Sequence, residues 1–195
     1  MAYVTLQQFK TYRGITTTST AGDAFLTDII ARAQQEVETY CDRVFAASTS
    51  ASTHYFDAVR DVSDDRRTLY LDDDLCSITA IINGDGSTVA TTHYVTEPRH
   101  GPPYRSIRLT GLSDDNWTYT AAPEDAIQVI GRWGYATTAP ADIQQATIRL
   151  AAYIYAQKDV SVFDVTVIPD AGVMQVPQGM PRDVRETLEH YRRVR

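Results

Sequence analysis

Gly131-Arg132-Trp133-Gly134-Tyr135, followed shortly by Pro140-Ala141-Asp142-Ile143-Gln144-Gln145-Ala146, is where this chain changes its repeat. Up to that point Ala126–Trp133 clusters β-branched and aromatic side chains, as a strand does. Beyond it, Ile143, Ala146, Thr147, Leu150, Ala151, Ile154 and Tyr155 recur at helical spacing. Pro140 suits a helix start, where its missing N–H costs nothing, and Asp142 sets a carboxylate near the positive end of the helix dipole. A second helical segment lies near the front of the chain, so two helices, over about 21–43 and 140–158, enclose roughly ninety residues of strand and turn.

The front segment is equally patterned. Thr5 is a good N-cap for a short helix from Leu6 to about Arg13, closed by Gly14. After the loop Thr16–Thr20, Asp23 is placed to cap a long helix. Its apolar stripe is Leu26, Ile29, Ile30, Ala33, Val37, Tyr40 and Cys41, and its polar face is Asp28, Arg32, Gln35, Glu36 and Glu38. The small residues Ala46–Thr53 read as a linker. Short strands are expected at His54–Phe56, Thr68–Leu71, Ile78–Ile82, His93–Thr96, Ser106–Leu109 and Ala126–Trp133. Asn83-Gly84-Asp85-Gly86 is a hairpin turn, and the Pro98–Pro103 cluster cannot be regular strand because proline lacks a backbone donor. Residues 160–180 read as an extended arm or loose hairpin, and a last helix starts at Pro181 or Arg182. The fold class is therefore α+β: an antiparallel helical body, 1–52 and 136–195, interrupted by a β-rich insertion domain at 53–135.

A chain of 195 residues can bury a proper core, and 43% hydrophobic with 22% charged residues is ordinary for a globular protein. The net charge of −7 is unevenly spread. Residues 53–135 hold 7 Arg and 13 acids, a balance of −6, while residues 181–195 hold 5 Arg and 3 acids, a balance of +2. Different surfaces should therefore meet different partners. Two lysines and no basic stripe argue against general binding to nucleic acid, whose phosphates are neutralised by Lys and Arg. Two separated cysteines build no disulfide framework, which suits a reducing compartment. The start Met1-Ala2-Tyr3-Val4-Thr5 carries no secretory pattern, and no apolar run approaches the ~18 residues of a membrane span, so the expectation is a soluble product made in the cytoplasm.

No catalytic constellation is apparent. Asp72-Asp73-Asp74 lacks the Gly and distant Glu of a calcium loop and reads as a solvated turn. His54, His93, His100 and His190 fall in four contexts without ligand spacing. Nucleophile elbows, phosphate loops and dinucleotide fingerprints are missing, and no cofactor or metal is expected. Cys41 reads as core, and Asn116-Trp117-Thr118 matches a glycosylation acceptor by chance. Trp117, Trp133 and Tyr104 with Tyr119 and Tyr135 suggest either a stacking platform for sugar or peptide, or more commonly an aromatic β core. Arg185, Arg192, Arg193 and Arg195, on or just beyond the terminal helix, suit docking onto an acidic partner surface, since Arg pairs bidentately with carboxylates. A plain C-terminal charge bias is the competing account.

The order of elements resembles the head–tail connector (adaptor) proteins of tailed bacteriophages. Tyr3–Lys10 with Asp23–Asp42 looks like the opening helix pair of that family. Leu69–Leu75, Ile78–Gly86 and Tyr94–Pro98 look like the β insertion of its longer members, and Ile127–Tyr135 running into Pro140–Tyr155 resembles the return to the helices. The resemblance implies a non-enzymatic protein of the virion neck. It would form a dodecameric ring of neighbouring copies beneath the portal protein, retain packaged DNA that passes without specific binding, and present a platform to a downstream neck or tail protein. It also gives Arg185, Arg192, Arg193 and Arg195 a role at the portal. Ring contacts are heterologous and need two different patches per chain; the arm, with Val162, Phe163, Val165 and Val167, is a candidate for strand exchange between neighbours. Rival expectations are a tail-completion or tail-terminator ring, a carbohydrate- or peptide-binding β module, and a hydrolase using Asp72–Asp74 with a histidine.

Overall fold

The computed structural model describes residues 1–16, 20–111, 116–157, 165–168, 172–175 and 179–193, with the backbone alone for the two short strands at 165–168 and 172–175. The chain is mixed α+β and divides into two compact units, one of residues 43–138 with Met1, the other of residues 2–42 and 139–195.

In the second unit, α1 (Leu6–Arg13) begins with a reciprocal cap. The Thr5 hydroxyl accepts from the Gln8 amide at 3.2 Å, and the Gln8 side chain accepts from the Thr5 amide at 2.8 Å. Gly14, at φ 66°, ends the helix in the left-handed conformation that glycine adopts without a steric cost. Helix α2 (Asp23–Cys41) starts one residue earlier than the sequence suggests: Gly22 is the cap, and Asp23 sits in the first turn paired with Lys10. Leu26, Ile29, Ile30, Ala33, Val37 and Cys41 are buried as a stripe, but Tyr40 is only half-buried because its hydroxyl reaches out to Glu189. Helix α3 (Ala141–Gln157) packs on α2. It buries Ile148 and Ala152 besides the anticipated Ile143, Ala146, Thr147, Leu150 and Ala151, while Ile154 and Tyr155 are left half-buried. The short helix α4 (Arg182–Glu189) contacts both through Val184 and Leu188.

The first unit is built on β1 (Ser52–Phe56), β2 (Thr68–Ile82), β3 (Tyr94–Glu97), β4 (Tyr104–Leu109) and β5 (Ile127–Trp133), an antiparallel sheet in the order β1-β5-β2-β4-β3. Strand β5, between β1 and β2, alternates strictly, with Ile127, Val129, Gly131 and Trp133 inward. Strand β2 corrects the sequence reading. The segments 68–71 and 78–82 are not separate strands; they form one run of 15 residues that passes straight through Asp72–Asp74, so no solvated turn exists there. Its first part pairs with β4 (Leu69 opposite Ile107) and its second with β5 (Ile81 opposite Val129), with register shifts between Tyr70 and Leu75 and again before Ser77 and Ala80. These irregularities break the period of two, and they turn Asp74 inward to 4% exposure.

There the buried carboxylate meets Arg43, whose Nη1 lies 2.9 and 2.7 Å from its two oxygens. The guanidinium also faces the Tyr135 ring at 5.6 Å, and the Asp74 carbonyl accepts from the Gly134 amide at 2.7 Å. Residues 44–47, which lead the chain into this unit, run beside residues 134–136, which lead it out. Tyr135 N–H donates to Val44 at 2.8 Å, and Ala47 N–H to Ala136 at 2.8 Å. Of the expected small-residue linker, Ala46 and Ala47 are packed and buried, while residues 48–52 are exposed. The close approach of the two segments explains Gly134: at φ 141°, a Cβ on it would lie 2.7 Å from the Ala47 backbone.

The Asn83–Gly86 turn forms as expected, closed by Gly86 N–H to the Asn83 carbonyl at 2.9 Å. Asn83 is itself buried; its amide donates to the Asn116 carbonyl (2.9 Å) and accepts from the Thr118 amide (3.1 Å), holding Trp117 in the core. Near the C-terminus, β6 (Val165–Ile168) and β7 (Gly172–Gln175) make an antiparallel hairpin.

Truncating Asp74 to Ala strands a buried guanidinium and should lower unfolding free energy by about 3–5 kcal/mol in a denaturant titration. The pair replacement Arg43→Met with Asp74→Leu should recover most of that loss. Gly134→Ala should cost about 1–3 kcal/mol by overpacking against Ala47.

Candidate functional site

The exposed chemistry of the helical unit gathers around α4. Tyr40 donates its hydroxyl to Glu189 at 2.7 Å, Arg149 pairs with Asp183 at 2.5 Å, and Tyr191 donates to Asp142 at 2.5 Å. The Cys41 thiol donates to the Leu188 carbonyl at 3.6 Å. Past the helix, the Arg193 amide donates to the Cys41 carbonyl at 2.9 Å, satisfying an acceptor that the end of α2 leaves open. The C-terminal segment is therefore stitched to α2 and α3 as far as Arg193.

An open groove of about 710 Å³ lies beside this seam, lined by Arg32, Glu36 and Tyr40 of α2, Ile154 of α3, and Met180 and Arg185 at the α4 side. Arg185 is exposed on this groove. Arg192, also exposed, stands 3.6 Å from Glu189. Arg193 is half-buried, and Arg195 lies outside the described residues. Arg185 thus lies on α4, and Arg192 and Arg193 follow just beyond its end. Of the arm residues, Val162 and Phe163 lie outside the described residues, while Val165 and Val167 belong to β6, opposite Gln175 and Val173.

The Tyr40–Glu189 contact shifts both partners. The hydrogen bond from Tyr40 holds the Glu189 carboxyl below the usual glutamate range, against an opposing effect of burial and with further help from Arg192 and His190. The same bond, with partial burial and the glutamate's charge, pushes the Tyr40 hydroxyl above its ordinary value.

Other candidates resolve differently. Trp117 and Trp133 are core side chains, 0% and 8% exposed; their indole N–H groups donate to the Arg67 and Ser52 carbonyls, both at 3.1 Å. Tyr104 packs half-buried against the same cluster, so these rings present no stacking platform. His54 stacks on Trp133 with centroids 3.8 Å apart, and its Nδ1 lies 3.8 Å from Asp73. The fold thus brings His54 to Asp72 and Asp73, with ligand atoms within 4.8 Å of one another, although both carboxylates are exposed and Asp74 is engaged with Arg43. The Tyr40–Glu189 bond escaped the sequence reading because 149 residues separate its partners.

Charged side chains and an open groove surround α4, while both tryptophans lie in the core of the β unit. Over residues 2–194 the sequence matches the head completion protein family, and the chain belongs to that family. The family's name places its members at completion of the head. No curated protein matches the sequence. Among solved structures, a chain from the neck of an empty gene transfer agent particle with C6 symmetry is similar at TM-score 0.61 and 17% identity, over 99% of this chain and 91% of that one. A chain from the virion of a native gene transfer agent particle gives 0.60 and 18%, over 99% and 91%. One from the neck of a native particle with C12 symmetry gives 0.52 and 16%, over 92% and 94%. At these identities the likeness is one of fold.

A carboxyl held low in the fold stabilises above its unfolded value, and that stabilisation is lost as pH falls through the folded value; a hydroxyl held high stabilises below its unfolded value and loses the effect as pH rises through the folded one. Protection of the Val184–Leu188 amides, corrected for intrinsic exchange, should therefore be level around neutral pH and decline at both the acid and alkaline ends. In Tyr40→Phe the alkaline decline should vanish and the acid one weaken.

Proposed function

We propose that this chain is a non-enzymatic connector that assembles as a ring in the neck, between head and tail, beneath the portal protein. The family match along almost the whole chain carries the reading. Its fold relatives sit in particle necks of C6 and C12 symmetry, which supports a ring of twelve copies. In this reading residues 2–42 and 139–195 are a helical body, and the β unit is an insertion into it. Exposed Arg185 and Arg192, with Arg193 and Arg195, dock onto acidic groups of the portal. Pinning of the tail at Cys41 favours this, because a pre-positioned arginine loses less freedom on binding than one on a free tail. The arm including Val162, Phe163, Val165 and Val167 bridges neighbouring copies. The β unit, with its balance of −6, repels DNA phosphates and lets packaged DNA pass without specific binding, while the ring's far side receives the next neck or tail protein.

Co-sedimentation of the purified chain with DNA-filled, tailless heads tests this, using portal-less capsids as control. Binding confined to portal-bearing heads is expected; binding to neither, or to tails alone, would overturn the reading in favour of a tail-side component. Replacing Arg185 with Glu should weaken head binding at least tenfold with an unchanged melting temperature, since its side chain is exposed.

A further inference from the structure

Hairpin β6–β7 is an odd element within its own chain. Among the described elements, β6 and β7 pair only with each other. A two-stranded ribbon standing alone is marginal in water, and its outer edges present unpaired N–H and C=O groups. Neither strand, Val165-Thr166-Val167-Ile168 or Gly172-Val173-Met174-Gln175, contains a charged residue. The ribbon therefore calls for an apolar, uncharged seat that can also satisfy backbone edges.

The second unit carries a groove of that chemistry among its described residues. It has a volume of about 480 Å³ and runs between α1 and α3, and none of its lining residues is charged. Buried Val4 and Ile148 supply apolar surface, and Tyr12, 47% exposed, adds an aromatic wall. Gln7 and Gln145 present exposed amides, each both donor and acceptor, which is what an open strand edge needs. The groove beside α4 is unlike it in carrying Arg32, Glu36 and Arg185. The α1–α3 groove also lies toward the start of α3, whereas the hairpin segment follows its end: Gln157 is 157 − 148 = 9 residues, about 14 Å of helix, beyond Ile148.

Building on the ring reading above, we propose that the β6–β7 hairpin of one copy seats in the α1–α3 groove of its neighbour. Hairpin and groove are then the two different complementary patches that a closed ring requires of each chain. The apolar residues find a desolvated floor, and the Gln7 and Gln145 amides engage the ribbon's edge. The ring's handedness of contact follows: every copy gives a hairpin on one side and receives one on the other.

Site-specific cross-linking of the full chain tests this. Thr166→Cys and Gln145→Cys are combined in one chain whose native Cys41 and Cys76 are buried, and the protein is treated with a short bis-maleimide, both free and bound to tailless heads. A ladder of dimers and higher multimers on a denaturing gel, absent from either single variant, is expected. Adding Gln7→Arg and Tyr12→Arg places charge in the groove and should reduce the ladder at least tenfold without shifting the melting temperature, since both residues are exposed. Cross-links within single chains would mean that the hairpin occupies its own groove and would overturn the proposal. Rings visible on heads with no ladder would overturn it too, while leaving the connector reading standing. Absence of rings and of head binding altogether would remove the connector reading and this proposal with it.

Discussion

The β unit is held together where its chain enters and leaves. Residues 44–47 pair with residues 134–136, and behind that pairing Arg43 and Asp74 share a buried ion pair. Bringing together two points some ninety residues apart costs loop entropy that grows only as the logarithm of length. Local hydrogen bonds and a desolvated charge pair are enough to hold the closure. The pair makes the arrangement specific as well as stable, because a displaced Arg43 would leave two buried charges unmatched. The sheet order follows from this anchoring. Strand β2 carries Asp74 and so must pass the entry point midway along its length, which is where it changes partner from β4 to β5.

What could be read from sequence was whatever is locally periodic. The cap at Thr5 and the glycine stop at Gly14 stand where the residue types demand, as do the stripe of α2 and the strict alternation of β5. What could not be read was whatever depends on a distant partner. Asp72–Asp74 has the composition of an exposed turn; only the presence of Arg43 makes a strand through it affordable. Ala46 and Ala47 have the composition of a linker, but they are buried where their segment pairs with residues 134–136, far along the chain. The aromatic residues offered two readings, and packing resolves them, since both Trp side chains lie in the core with their N–H groups bonded to backbone carbonyls. The terminal arginines were visible as charge, but their seat on α2 and α3, through Tyr40, Glu189 and the Cys41 carbonyl, spans too much sequence for any pattern to reveal.

The two units divide the physical tasks. Helices expose arginine, glutamine and tyrosine side chains beside shallow grooves, a surface suited to contact with other proteins. The β unit presents a surplus of carboxylates around a dry aromatic core. Each unit owns enough buried apolar side chains to be a stable scaffold for its own surface.

The side-by-side termini of the β unit bear on the history of the chain. A module whose ends are stitched together can be enlarged, shrunk or exchanged at the two crossings, near 42–43 and 138–139, without re-spacing the helices that flank it. Selection can thus act on the two units almost independently, and only the few residues of the stitch, Arg43, Asp74, Ala47 and Gly134, are bound to travel together.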